Sequence, residues 1–93
     1  MLKWPTKHPG DDDDHGIDWE GAIGDAEILS STWVVDDDDL ELSDYRVNGS
    51  VTSVRLAGGT KGKVYTVTNT ITIAGDPDPQ TLNRSARIDV AQK

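Results

Sequence analysis

The chain contains no cysteine, no phenylalanine, no long apolar run and no cluster of Lys and Arg. Each absence removes a class of protein. Without cysteine there is no disulfide, no zinc–thiolate site and no thiol nucleophile, which fits folding in a reducing cytoplasm. No segment approaches the roughly 18 consecutive apolar residues of a membrane span. The opening MLKWPTKHPG lacks an apolar run of about seven or more, so no signal peptide is expected. Without clustered bases, neither nucleic acid nor an anionic membrane surface is expected as a partner. Without phenylalanine, a 93-residue chain must build its core from aliphatic residues, three Trp and two Tyr. A chain of this length supports one compact core.

Acidity is what is present. Of 17 acids, eight lie in two tetra-aspartate runs, Asp11–Asp14 and Asp36–Asp39; the other nine face nine Lys and Arg. The net charge of −8 is therefore local to two segments. Such runs read as solvated loops kept open by their own repulsion.

Residues 1–16 hold two prolines, two glycines, both histidines and the first acid run, with no periodicity. They read as an extended N-terminal arm, and residues 17–93 as the folded domain. Trp4 is out of place in a free arm; it either packs back on the domain or docks on a partner.

From Ile17 onward apolar residues recur at every second position. Ile17 and Trp19 form one such pair. Leu29, Ser31, Trp33 and Val35 form one face of a segment whose other face, Ile28 to Val34, is also partly apolar, so that strand is expected to be central or bulged. Tyr45 and Val47 share a face, as do Thr52, Val54 and Leu56. Tyr65, Val67, Ile71 and Ile73 point inward with threonines between them. Leu82, Ala86, Ile88 and Val90 follow. Turns are expected at Asn48-Gly49, at Gly58-Gly59 as a hairpin, and over Gly75–Pro79. Only Trp19 to Ile28 has room for a helical turn. About seven strands at regular spacing predict an all-β sandwich with an extended arm. The expected core is Trp19, Trp33, Tyr65, Val67, Ile71 and Ile88.

LAGGTKGKVYTV resembles the corner of immunoglobulin-like and fibronectin type III domains. There a tyrosine heading the second-to-last strand bonds its hydroxyl to the preceding loop. Tyr65 would hold that place; the alternative is one more core-facing aromatic.

The acid runs do not match a calcium loop. With Gly16 at the sixth position of an EF-hand, Asp11 and Asp13 fall at positions 1 and 3. His15 then falls at 5 and Ala22 at 12, where a bidentate Glu is needed. From Asp36 the sixth position is Glu41 rather than glycine. Asp11, Asp13, Asp36 and Asp38 remain weak candidates for a looser divalent site, and no metal or other cofactor is expected. Zinc or iron needs three or four converging ligands, whereas both histidines lie in the arm. A catalytic triad fails for the same reason, and Gly58-Gly59 has no helix after it to bind phosphate. No enzyme is expected.

Several motifs recur in one order: WP with Lys7 and Pro9, the Ile17-Asp18-Trp19 triplet, Ser31-Thr32-Trp33 and L-x-G-G-T-x-G-x-x-Y. In this order the chain resembles a family of small tailed-bacteriophage structural proteins, the fiber–tail adaptor and neck components. The two tetra-aspartate runs depart from that pattern. The resemblance implies an immunoglobulin-like fold and a homo-oligomeric ring in the virion. It also implies contact with tail, neck or fiber proteins, assembly in the bacterial cytoplasm and no catalysis. Capsid decoration is the alternative within the same fold; a calcium- or carbohydrate-binding sandwich is the alternative outside it. Leu2, Trp4 and Pro5 are the expected partner contacts. Deletion of residues 1–16 is expected to leave the domain folded and abolish incorporation into virions.

Overall fold

In Val64–Ile73 every second side chain is buried: Tyr65, Val67, Asn69, Ile71 and Ile73, with partly exposed threonines filling most positions between. Short β-branched side chains with one wet face suit a pleated strand. The same logic builds the remaining elements of the computed structural model, which describes residues 2–75 and 77–91. They are β1 (Leu2–Lys3), β2 (Asp13–Asp18), a single helical turn α1 (Glu20–Ile23), β3 (Ile28–Val35), β4 (Leu40–Asn48), β5 (Val51–Gly58), β6 (Val64–Ile73) and β7 (Gln80–Asp89).

Two sheets form, in the orders β1-β7-β6-β3 and β2-β5-β4. This is the immunoglobulin arrangement: β2, β5 and β4 take the places of strands B, E and D, and β3, β6 and β7 those of C, F and G. Trp33, on the C-type strand, is buried between the sheets, where that fold commonly keeps a tryptophan. The core also holds Trp19, Tyr65, Val67, Ile71 and Ile88.

Strand order and register correct one expectation and settle two others. First, of the two readings of β3, bulged holds and central does not, since it is an edge strand. Its two apolar faces come from a register irregularity between Ile28 and Ser30, which turns Leu29 to solvent and keeps Ile28 against the core. Second, Gly58-Gly59 is no hairpin: β5 and β6 belong to different sheets, so this segment crosses between them. Gly59 has φ of +94°, and a Cβ there would lie 2.9 Å from the Val90 side chain. Third, the face expected to carry Tyr45 and Val47 is the outward one, as β4 bulges between Ser43 and Arg46 and Asp44 takes a φ of +51°. The β4–β5 turn is a true hairpin. Asn48 pairs with Val51 around Gly49-Ser50, and Gly49 has φ of +63°, as the first central residue of a type II′ turn requires. The turn expected over Gly75–Pro79 includes Asp76, which lies outside the described residues; on either side of it Ile73 pairs with Gln80.

The tyrosine corner is present. The Tyr65 hydroxyl accepts a hydrogen bond from the Thr60 backbone N–H at 2.8 Å, five residues upstream. The ring is fully buried, so the hydroxyl needs a partner and the crossing loop gains a fixed anchor. Tyr65→Phe is expected to cost about 1–2 kcal/mol, by stranding the Thr60 N–H. Urea unfolding with an unchanged m-value would register it.

Candidate functional site

The N-terminal segment is seated on the sandwich. Leu2 and Lys3 pair in parallel with Ala86 and Arg87 of β7. The Trp4 and Lys7 backbone N–H groups donate to the Arg87 and Asp89 carbonyls. Trp4 is 8% exposed. Its ring stacks on His15 at 4.8 Å between centroids and meets Trp33 at 6.0 Å. Of the expected partner contacts, only Leu2 and Pro5 remain at the surface; Trp4 is spent on the core. Lys7 is fully buried, and its ammonium donates to the His8 and Gly58 carbonyls, both at 2.9 Å. A buried lysine is tolerated only with such partners. The residue 16/17 boundary falls inside β2, so most of that strand lies in the segment expected to be a free arm. Periodicity missed it because Asp13, Asp14 and Gly16 alternate with nothing apolar. The pairing is supplied by β5, where His15 lies opposite Val54 and Ile17 opposite Thr52.

Each acid run is tied down through some of its side chains, the first only through Asp14 among the described residues. Asp14 meets Arg55 at 2.9 Å, and the same guanidinium reaches Asp44 at 2.9 Å. The hydrogen bond from Arg55 pushes the Asp14 carboxyl below its ordinary range. The second run forms the crossing from β3 to β4, next to the crossing from β5 to β6. Asp36 accepts from the Thr66 N–H at 3.1 Å. Asp37 pairs with Lys63. Asp39 accepts from the Thr60 hydroxyl at 2.6 Å and lies 3.4 Å from the Lys63 ammonium. Three of the four aspartates of a repelling run thus tie it to the neighbouring crossing and to the start of β6. Asp38 is exposed and takes no part in that network among the described residues. Asp11, Asp13, Asp36 and Asp38 are not gathered into any group of three or more metal-ligating side chains among the described residues.

The Asp39 carboxyl is pushed down to about 2, first by the Thr60 hydroxyl, then by the Tyr65 hydroxyl and Lys63. Its folded value lies below its ordinary 3.8. Its contribution to stability is therefore complete above that ordinary value and is lost as pH falls toward about 2. His15 acts at higher pH. Burial pushes it below its ordinary 6.5 against the pull of Asp13 and Asp14, so the unfolded chain takes up the proton first and stability falls as pH drops through 6.5. Melting temperature is expected to decline in two stages on acidification. Asp39→Asn should flatten the lower stage and leave the upper one intact.

The open surface lies on one side of the sandwich. There β3 and β4 are the edges of their sheets. Between them runs a groove of about 500 Å³, floored by Trp33, Leu40 and Leu42, flanked by Val34 and Tyr45, and bordered by Asp38 and Glu41. Val34 is 61% and Tyr45 53% exposed. Sequence patterning could not identify this surface: both residues alternate like core residues, and which strand ends a sheet is a matter of topology.

No curated protein matches the chain. The family described as podophage GP4 fiber-tail adaptor protein gp77 matches residues 7–89, from the buried Lys7 through the end of β7. On that match, which spans nearly the whole sandwich, the chain belongs to the podophage fiber–tail adaptor family, whose members are structural parts of the phage tail.

Proposed function

We propose that the chain joins tail or neck components to fibers as one of several identical copies in a ring, assembled in the host cytoplasm, using its sheet edges and the exposed part of its N-terminal segment. The observation that carries this reading is the family match over residues 7–89, on a sandwich that leaves β3 and β4 open as edges. Edge strands offer unpaired N–H and C=O groups to a neighbour, and repetition around a ring multiplies weak contacts. Leu2 and Pro5 stand beside β7 at the surface and extend the contact area on the opposite side. Catalysis has no part in this reading. The perturbed carboxyls, Asp14 and Asp39, are pushed down by their partners, opposite to what a general acid needs.

Antibody against the purified chain, imaged on purified virions by electron microscopy, tests the proposal. Label confined to the tail or neck, at about a dozen copies or fewer per particle, is the expected result for a closed ring. Label over the whole shell makes the chain a capsid decoration protein. No label on any particle overturns the virion role.

A further inference from the structure

The two edges on this side of the sandwich are not equivalent. β4 carries the devices that blunt an edge: a bulge between Ser43 and Arg46 and charged Glu41, Asp44 and Arg46. β3, ILSSTWVV, has no charge and no proline along its eight residues. Its one irregularity sits at the start, between Ile28 and Ser30. From Ser30 to Val35 it is a regular, uncharged edge with Val34 standing out to solvent. An edge left in this state is a template for another strand. It is also the C-type edge, where variable-type immunoglobulin domains extend the same sheet with further strands of their own.

The groove beside that edge defines what fits. Side chains of an added strand alternate between the two faces of the sheet. Those turned toward the groove would meet Trp33, Leu42 and Tyr45 and must be apolar. The border is acidic, with exposed Asp38 and Glu41. A second copy pairing through this same edge would set its own Asp38 and Glu41 against these, and like charges across an interface oppose association.

Resting on the adaptor reading, we propose that the free edge of β3 takes up one extended strand from a different tail or fiber protein. The strand alternates apolar residues with Lys or Arg, its apolar side chains lying over the β3–β4 groove and its bases against Asp38 and Glu41.

Photo-crosslinking in assembled virions tests this. A benzophenone side chain is placed at position 34 of the full-length chain, or at 81 on β7 as a control at the far side of the sheet. The crosslinked peptides are then sequenced by mass spectrometry. The expected adduct forms from position 34 and not from 81, to one segment of another virion protein with alternating apolar and basic residues. An adduct to a second copy, or to a segment without Lys or Arg, overturns the proposal. So does the absence of any adduct from chains that are present in the virion. Chains absent from virions sink the adaptor reading itself, a separate outcome. A second variant guards against the probe blocking the edge. Val34→Lys, at an exposed position, should leave the melting temperature unchanged and reduce fiber-bearing particles about tenfold or more. Normal fiber loading on this variant overturns the proposal.

Discussion

Asn69→Leu is expected to destabilise the domain by about 3 kcal/mol, a melting-temperature fall of roughly 10–20 °C for a chain of this size. Asn69 is fully buried in the middle of β6, where the alternation calls for an aliphatic residue. Its side-chain oxygen accepts from the Trp19 indole N–H at 3.0 Å and the Thr52 hydroxyl at 2.6 Å. Its amide nitrogen donates to the Ser31 hydroxyl and the Thr32 carbonyl, both at 2.9 Å. One side chain therefore links β3 and β6 of one sheet to β5 of the other, and to the tryptophan that follows β2. Leucine fills the volume and takes a partner from four polar groups, two of them on fully buried residues, although the Trp19 N–H still reaches the Thr52 hydroxyl at 3.2 Å. Leaving a buried group unpaired costs about 1–3 kcal/mol, more than the net gain of having made the bond. Thr72→Val, on the outer face of the same strand, is the control and should change stability by about 0.5 kcal/mol or less. Equal effects at positions 69 and 72 would show that the buried network carries no special weight. Urea denaturation of the two variants decides between these outcomes.

Trp4→Ala is expected to be as damaging, at about 3–5 kcal/mol, the range for emptying a buried aromatic site. A free arm would predict no change at all. The indole packs between His15 and Trp33, so its removal opens a cavity bordered by both sheets and exposes a histidine whose pKa burial holds down. Loss of stability should therefore come with a rise of the His15 pKa toward its ordinary value, visible in an NMR titration. A variant that melts like the parent would show that residues 2–7 only rest on the surface. The same reasoning reverses the expectation for deleting residues 1–16. That deletion removes Trp4, the buried Lys7 and most of β2, and it should unfold the domain rather than leave a folded one that fails to assemble. Loss of virion incorporation by so large a truncation would then report folding, not docking. Val34→Lys and substitutions of exposed Leu2 probe assembly without that confusion.

Much of the architecture was legible from residue order, and the reason is local. A pleated strand with one buried face imposes a two-residue period, so Thr52-Val54-Leu56 and Tyr65-Val67 declare their inward side without reference to anything distant. The Gly-Gly-Thr stretch followed by Tyr65 is likewise a short-range signal, since the hydroxyl reaches only five residues back. The absence of cysteine excluded disulfide and thiolate chemistry, and the absence of a long apolar run excluded a membrane-spanning helix, whatever the fold.

What remained was decided by contacts between residues far apart in the chain. The two aspartate runs look alike in sequence. Yet Asp14 is paired with Arg55, Asp37 and Asp39 with Lys63, Asp39 also accepts from the Thr60 hydroxyl, and Asp38 is left to the solvent. Repulsion within a run is a property of neighbours; its relief depends on which loops the sheets bring side by side. Trp4 could equally have faced a partner, and only the fit between His15 and Trp33 settles it inward. Asn69 breaks the apolar alternation and looks like an error until Trp19, Thr52 and Ser31 converge on it. That β3 ends its sheet follows from strand order alone, because an edge is defined by the neighbour a strand lacks. Composition and periodicity thus determined an all-β sandwich of small size. Tertiary structure determined which polar groups are buried with partners and which strand is left open, since both depend on pairings across long sequence separations that no local pattern encodes.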